Sequence, residues 1–138
     1  MLLPVTSTIA ALLAIIAFPL TLHVSMRRVA VGKAQGDVNM APFGDHSDDI
    51  LRNAGRAFGN FIEYAPICLL MLALMEIQGA TATTLWWIGG AFVLGRILHA
   101  YGMLTNPFFP LPRILGMFAT YAALLVPAVW FIKHIWLG

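Results

Sequence analysis

RAFGNFIEYAPICLLMLALMEIQ, residues 56–78, begins as a helix with one polar stripe and continues as an apolar run. Arg56, Asn60 and Glu63 recur at intervals of four and three, whereas Tyr64 to Met75 carry no charge. On a helix advancing about 100° per residue, the three polar residues fall within about 60° of one another. An ionisable group at the centre of a membrane helix costs about 2.5–3.5 kcal/mol on insertion scales, so it faces a bundle interior or a wet cavity and finds a partner there. The stretch therefore requires other membrane helices around it.

Toward the N-terminus, Arg52 and Asn53 extend the same polar face, at about −40° and +60° from Arg56. Ser47 offers an N-cap, with Asp48 and Asp49 placed against the positive end of the helix dipole. A helix is predicted over 48–78, kinked at Pro66. Before it lies the one extended hydrophilic segment, residues 27–49, with Gly32, Gly36, Pro42, Gly44 and the aspartates 37, 45, 48 and 49. Residues 1–26 contain no Asp, Glu, Lys or Arg. They predict a first helix over about 5–26, stopped by Arg27 and Arg28. A cleaved leader would carry a basic stretch ahead of an apolar core of about 7–15 residues, and this run has neither feature.

Toward the C-terminus, a turn over 79–84 leads to a helix over about 84–104 that carries Arg96 and His99. Pro107, Pro110 and Pro112 then break the chain. Arg113 opens a fourth helix, over about 113–136, whose stretch from Ile114 to Ile132 is uncharged and is closed by Lys133 and His134. Four spans with short connections make an all-α, up-down membrane bundle. Composition agrees: 60% of the 138 residues are hydrophobic and 10% charged, against about 45–50% apolar and about 25% charged in soluble domains. A second domain does not fit this length.

The formal net charge of +2 sets orientation rather than partners, and no nucleic acid is expected. Arg27, Arg28, Lys33, Arg52 and Arg56 lie in or beside the first connection, and Arg113 borders the third. The positive-inside rule then places both connections in the cytoplasm, with the termini outside. Cys68 is the only cysteine, which excludes an intrachain disulfide. At about 120° from Arg56 it points away from the stripe and reads as packing. No metal site is expected.

The chemistry gathers at the cytoplasmic end. Glu63 requires a cation, and Arg96, His99 and Met103 offer a second face at i, i+3 and i+7, with Arg113 just across the proline-rich turn. Snorkelling arginines and one interhelical salt bridge account for a single charge, but not for five polar groups on one face. Amides and cations around one carboxylate suit a small anionic or zwitterionic ligand, such as a carboxylate-bearing peptide.

At these residues the sequence resembles a known family. The run from Arg56 to Pro66 is similar to the R-A-x-x-N-x-x-E-x-x-P signature of the MAPEG proteins, the membrane-associated proteins of eicosanoid and glutathione metabolism. The likeness extends to length, four spans, the paired arginines after the first span, and the third-helix segment from Arg96 to Gly102. It implies a homotrimer with glutathione bound as co-substrate between neighbouring subunits, at the cytosolic side and open to the bilayer. By position in the motif, Arg56 and Asn60 would hold the tripeptide's backbone and carboxylates, and Glu63 its α-amino group. Arg96 would join the carboxylate clamp, Arg27 or Arg28 would line the same site, and Arg113 would stabilise the thiolate. One departure stands out, because Met103 occupies the place of a family tyrosine; His99 then either fills in as a donor to glutathione or caps a neighbouring helix.

The resemblance implies a glutathione transferase acting on lipophilic electrophiles that arrive through the lipid, with peroxidase activity on lipid hydroperoxides as a second activity open to the same site. A non-catalytic lipid-binding member of the same family is the alternative. A small proton-coupled exporter using Glu63 is a third, although such exporters usually carry their carboxylate in the first helix, which here has none. Short turns and the lack of a targeting signal point to a bacterial inner membrane.

Overall fold

The computed structural model describes residues 3–36, 48–105 and 110–136, which form four helices: α1 (Pro4–Ala34), α2 (Asp49–Ile77), α3 (Ala82–Leu104) and α4 (Leu111–Trp136). Asp37, Pro42, Gly44, Asp45, Ser47 and Pro107, on which expectations were placed, lie outside the described residues. Pro19, Pro66 and Pro127 sit inside continuous helices.

The helix ends differ from the sequence expectation in instructive ways. Arg27 and Arg28 end the uncharged run, yet α1 continues through them to Ala34. Arginine, alanine and lysine are good helix formers, and the extension has something to pack on. Val24 and Val31 join Leu51 and Ala54 of α2 in a small second core. The helix stops where Gly36 takes φ 80°, a left-handed conformation natural only to glycine. The cap of α2 is Asp48 rather than Ser47, its Oδ1 accepting from the Leu51 N–H at 2.7 Å. α3 starts earlier than expected because Thr81 caps it, and α4 starts at Leu111 with Pro112 in its first turn, where a missing N–H costs little.

Both ends of α1 are tied to α2 by carboxylates. Leu3 offers no side-chain cap, and Glu76 near the end of α2 takes over. Its two oxygens accept the N–H groups of Val5 and Thr6 at 2.9 and 2.8 Å, satisfying two of the donors that a helix start leaves open. At the other end, Arg27 pairs with Asp48 at 2.9 Å. These contacts make α1 and α2 antiparallel.

α2 and α3 form the central diagonal. Each touches the other three helices, while α1 and α4 make no contact with each other among the described residues. The α3–α4 pair is the closest, because glycines let the backbones approach. A Cβ on Gly95 would lie 2.6 Å from the Ala119 Cβ, and one on Gly102 would lie 2.8 Å from the Arg113 nitrogen. Ile9, Leu13, Leu72, Met75, Leu85 and Phe92 fill the middle of the bundle.

α1, α2 and α4 are each long and apolar enough to cross a membrane. α3, with 23 residues, has the length to cross a core of about 30 Å at 1.5 Å per residue. It falls below the others in hydropathy partly because it carries Arg96 and His99, which are 1% and 6% exposed and turned into the bundle. Much of the outer surface is apolar, with Phe18, Trp87, Phe118 and Leu125 among many large exposed side chains.

Candidate functional site

The polar stripe of α2 and one face of α3 border an open cavity of about 570 Å³, lined by Arg52, Arg56, Asn60 and Glu63 from α2 and by His99 and Met103 from α3. Gly55 and Gly59 complete the wall, and a Cβ on either would meet nothing within 4 Å. The helical spacing that put these α2 residues on one face thus puts them into one cavity. Asn53, expected on the same face, is half-buried and does not line it. Arg56 and Glu63 are exposed at the cavity wall. Arg52 is paired with Asp49 one turn earlier, at 2.6 Å.

Arg96 occupies a different place from the one expected. It is fully buried behind the cavity and does not line it. Its guanidinium donates to Asn60 Oδ1 at 2.7 Å, to the Gly116 carbonyl at 3.3 Å and to the Thr120 hydroxyl. The rings of Tyr64 and Phe92 lie 5.9 and 5.5 Å from it, adding cation–π attraction. It thereby ties α2, α3 and α4 together. Among the described residues it has no carboxylate partner, and Glu63 has no ion pair.

A second cavity of about 220 Å³ lies on the other side of His99, lined by His99, Arg113, Ile114, Met117, Phe118 and Tyr121. Arg113 therefore faces an apolar compartment rather than the polar one, and His99 is the wall that the two share. Gly102, packed against the Arg113 backbone, fixes where α4 begins relative to His99. Arg27 is engaged by Asp48, and Arg28 is exposed on α1 away from both cavities. Cys68 is buried among apolar side chains of the core, apart from both cavities. Among the described residues no cluster of His, Cys, Asp and Glu stands ready to hold a metal ion.

Two contributors escaped the sequence reading. Thr120 and Gly116 receive the buried guanidinium, and their signal was a hydroxyl and a glycine four residues apart in an otherwise apolar helix. The Asp48 carboxylate also does more than cap, because the Leu51 N–H and the Arg27 guanidinium together hold it below the ordinary carboxylate value of 3.8.

A helical membrane bundle with a zwitterionic cavity toward one end, walled from an apolar one by a single histidine, is the class of protein that this geometry defines. The chain belongs to the MAPEG family, whose sequence model matches residues 6–133. It is similar to the inner membrane protein YecN of Escherichia coli strain K12, with 36% identity over 84 residues, 61% of this chain. The YecN of Escherichia coli O6:H1 matches equally, and the chain spans 63% of the length of each. No solved structure matches the chain. The family is one of four-helix membrane bundles and includes glutathione transferases as well as non-catalytic members.

Proposed function

We propose that the protein is a membrane-bound glutathione transferase that joins glutathione to lipophilic electrophiles. The observation that carries this reading is the cavity between α2 and α3, where two arginines, an amide and a carboxylate face one space of about 570 Å³ beside an apolar compartment. Glutathione is itself a zwitterion with two carboxylates and one ammonium group. Arg56 and Asn60 would hold its carboxylates and backbone, and Glu63 its α-amino group, as charge-assisted bonds favour. Arg96 would contribute from behind, as a buried cation.

Sulfur activation falls to Arg113. A free thiol with a pKa near 8.5 is mostly protonated at neutral pH, and each unit of lowering corresponds to about 1.36 kcal/mol. A guanidinium beside sulfur supplies such stabilisation. The thiol proton leaves toward the polar side, and the thiolate lone pair forms a C–S bond to an electrophile entering from the lipid, either displacing its leaving group or adding to its activated double bond, in which case a proton from the polar side returns to the resulting carbanion. Proximity and nucleophile activation would carry the catalysis. Peroxidase activity on lipid hydroperoxides would use the same thiolate.

Assembly as a homotrimer would let Arg28, exposed on α1, line the cavity of a neighbouring copy. The basic residues around the first connection favour a cytoplasmic site, and the likeness to an inner membrane protein favours a bacterial inner membrane.

The test is a titration of glutathione into the purified protein in detergent, followed by thiolate absorbance in the ultraviolet and by proton release. Both should appear at neutral pH. A bound but fully protonated thiol would favour the second reading, a non-catalytic lipid-binding member. Met103 favours that reading, since a thioether in the cavity wall donates no hydrogen bond.

A further inference from the structure

Arg96 stands where three helices cross, and its donor set constrains a residue of the cavity wall. The guanidinium carries donors only, so the atom of Asn60 that meets it at 2.7 Å must be the amide oxygen. A carboxamide is planar, with oxygen and nitrogen on opposite arms. With Oδ1 held inward by Arg96, Nδ2 is turned away from the bundle interior, and Asn60 lines the polar cavity. An asparagine left to itself offers a ligand either a donor or an acceptor. Here the buried cation removes the choice.

We propose that Arg96 is a positioning residue that locks the Asn60 carboxamide with its NH2 group toward the cavity, so that the site selects a carboxylate oxygen of its ligand at that point. Charge adds to geometry. The guanidinium is 1% exposed and has no carboxylate partner among the described residues, so its field behind the amide favours an anion over a neutral carbonyl. Thr120 and the Gly116 carbonyl hold its second terminal nitrogen and keep it from swinging out to meet the ligand itself. Arg96 thus acts through Asn60 rather than by touching the ligand. The use of glutathione as probe rests on the function proposed above.

The experiment begins with the unmodified protein in detergent, labelled with 15N-asparagine, the Asn60 side-chain signal being identified by its loss in Asn60→Ala. In the free protein the Asn60 NH2 should exchange rapidly with water, and glutathione should slow that exchange about tenfold by accepting its hydrogen bond. Arg96→Lys keeps a donor-only side chain and should preserve glutathione affinity within about threefold. Arg96→Gln both donates and accepts, so it releases the amide and should weaken binding about tenfold or more. A protected Asn60 NH2 in the free protein would overturn the proposal, as would equal binding by the Lys and Gln variants. Rapid exchange in a protein that binds no glutathione would remove the glutathione reading and leave the amide orientation standing.

Discussion

Arg27 on α1 and Asp48 at the head of α2 are joined by a 2.9 Å ion pair, and the same carboxylate caps α2 through the Leu51 N–H. Both contacts favour the charged form, so Asp48 titrates below the ordinary 3.8. A carboxylate whose folded pKa is depressed binds fewer protons than in the unfolded chain. Its stabilisation is complete above the ordinary value and is lost as pH falls through the folded one. Thermal unfolding in detergent should separate the wild type from Asp48→Asn at neutral pH, and the gap should shrink on acidification below about pH 4. A gap that stays constant would contradict this account.

Glu76 holds the start of α1 from a neighbouring helix. Glu76→Ala leaves the Val5 and Thr6 N–H groups without their acceptor and should cost about 1 kcal/mol, the usual scale of a lost helix cap. Amide exchange at Val5 and Thr6 should rise by about fivefold or more, while exchange in α3 stays unchanged. Glu76→Gln, which keeps one acceptor oxygen, should fall between the two.

Thr120→Val removes a hydroxyl at nearly constant volume. The Arg96 guanidinium loses a buried acceptor, and leaving such a donor unsatisfied costs about 1–3 kcal/mol. The unfolding temperature in micelles should drop, with the loss largely absent when Arg96→Met is already present, since no donor then remains to be stranded.

Gly102→Ala places a Cβ 2.8 Å from the Arg113 nitrogen, which forces α3 and α4 apart. Overpacking of this kind costs about 1–3 kcal/mol. Because the strained contact is the Arg113 backbone itself, transfer activity should fall more steeply than glutathione affinity. Equal losses in both would show that Arg113 has no separate part.

Arg113→Ala tests the division of labour between the cavities. Arg113 lines the apolar cavity only, so glutathione affinity should change by less than about threefold. The pKa of the bound thiol should return toward the free value near 8.5, and kcat at neutral pH should fall by about tenfold or more. Raising the pH should restore part of the rate.

Much of this molecule was readable in one dimension because membrane helices repeat simply. Uncharged runs set the spans, and the intervals between Arg56, Asn60 and Glu63 put these side chains in one cavity wall. Helix ends were less legible. Arg27 and Arg28 mark where the apolar run stops, whereas the end of α1 is set by the left-handed conformation of Gly36. The fate of Arg96 was hidden altogether, since spacing shows which face an arginine occupies but not which acceptors wait across it. Asn60, Gly116 and Thr120 are uncharged, so no charge pattern announces them. Glu76, similarly, finds its partners in main-chain N–H groups that carry no signal in the sequence.

The two cavities have only His99 in common among their lining residues, and every other side chain of the apolar one belongs to α4. Substitutions at Met117, Phe118 or Tyr121 therefore leave every α2 residue of the polar wall untouched. In evolutionary terms the architecture is modular: a lineage is free to broaden or narrow its diet of lipid-borne compounds through one helix while the inheritance held by another is passed on intact.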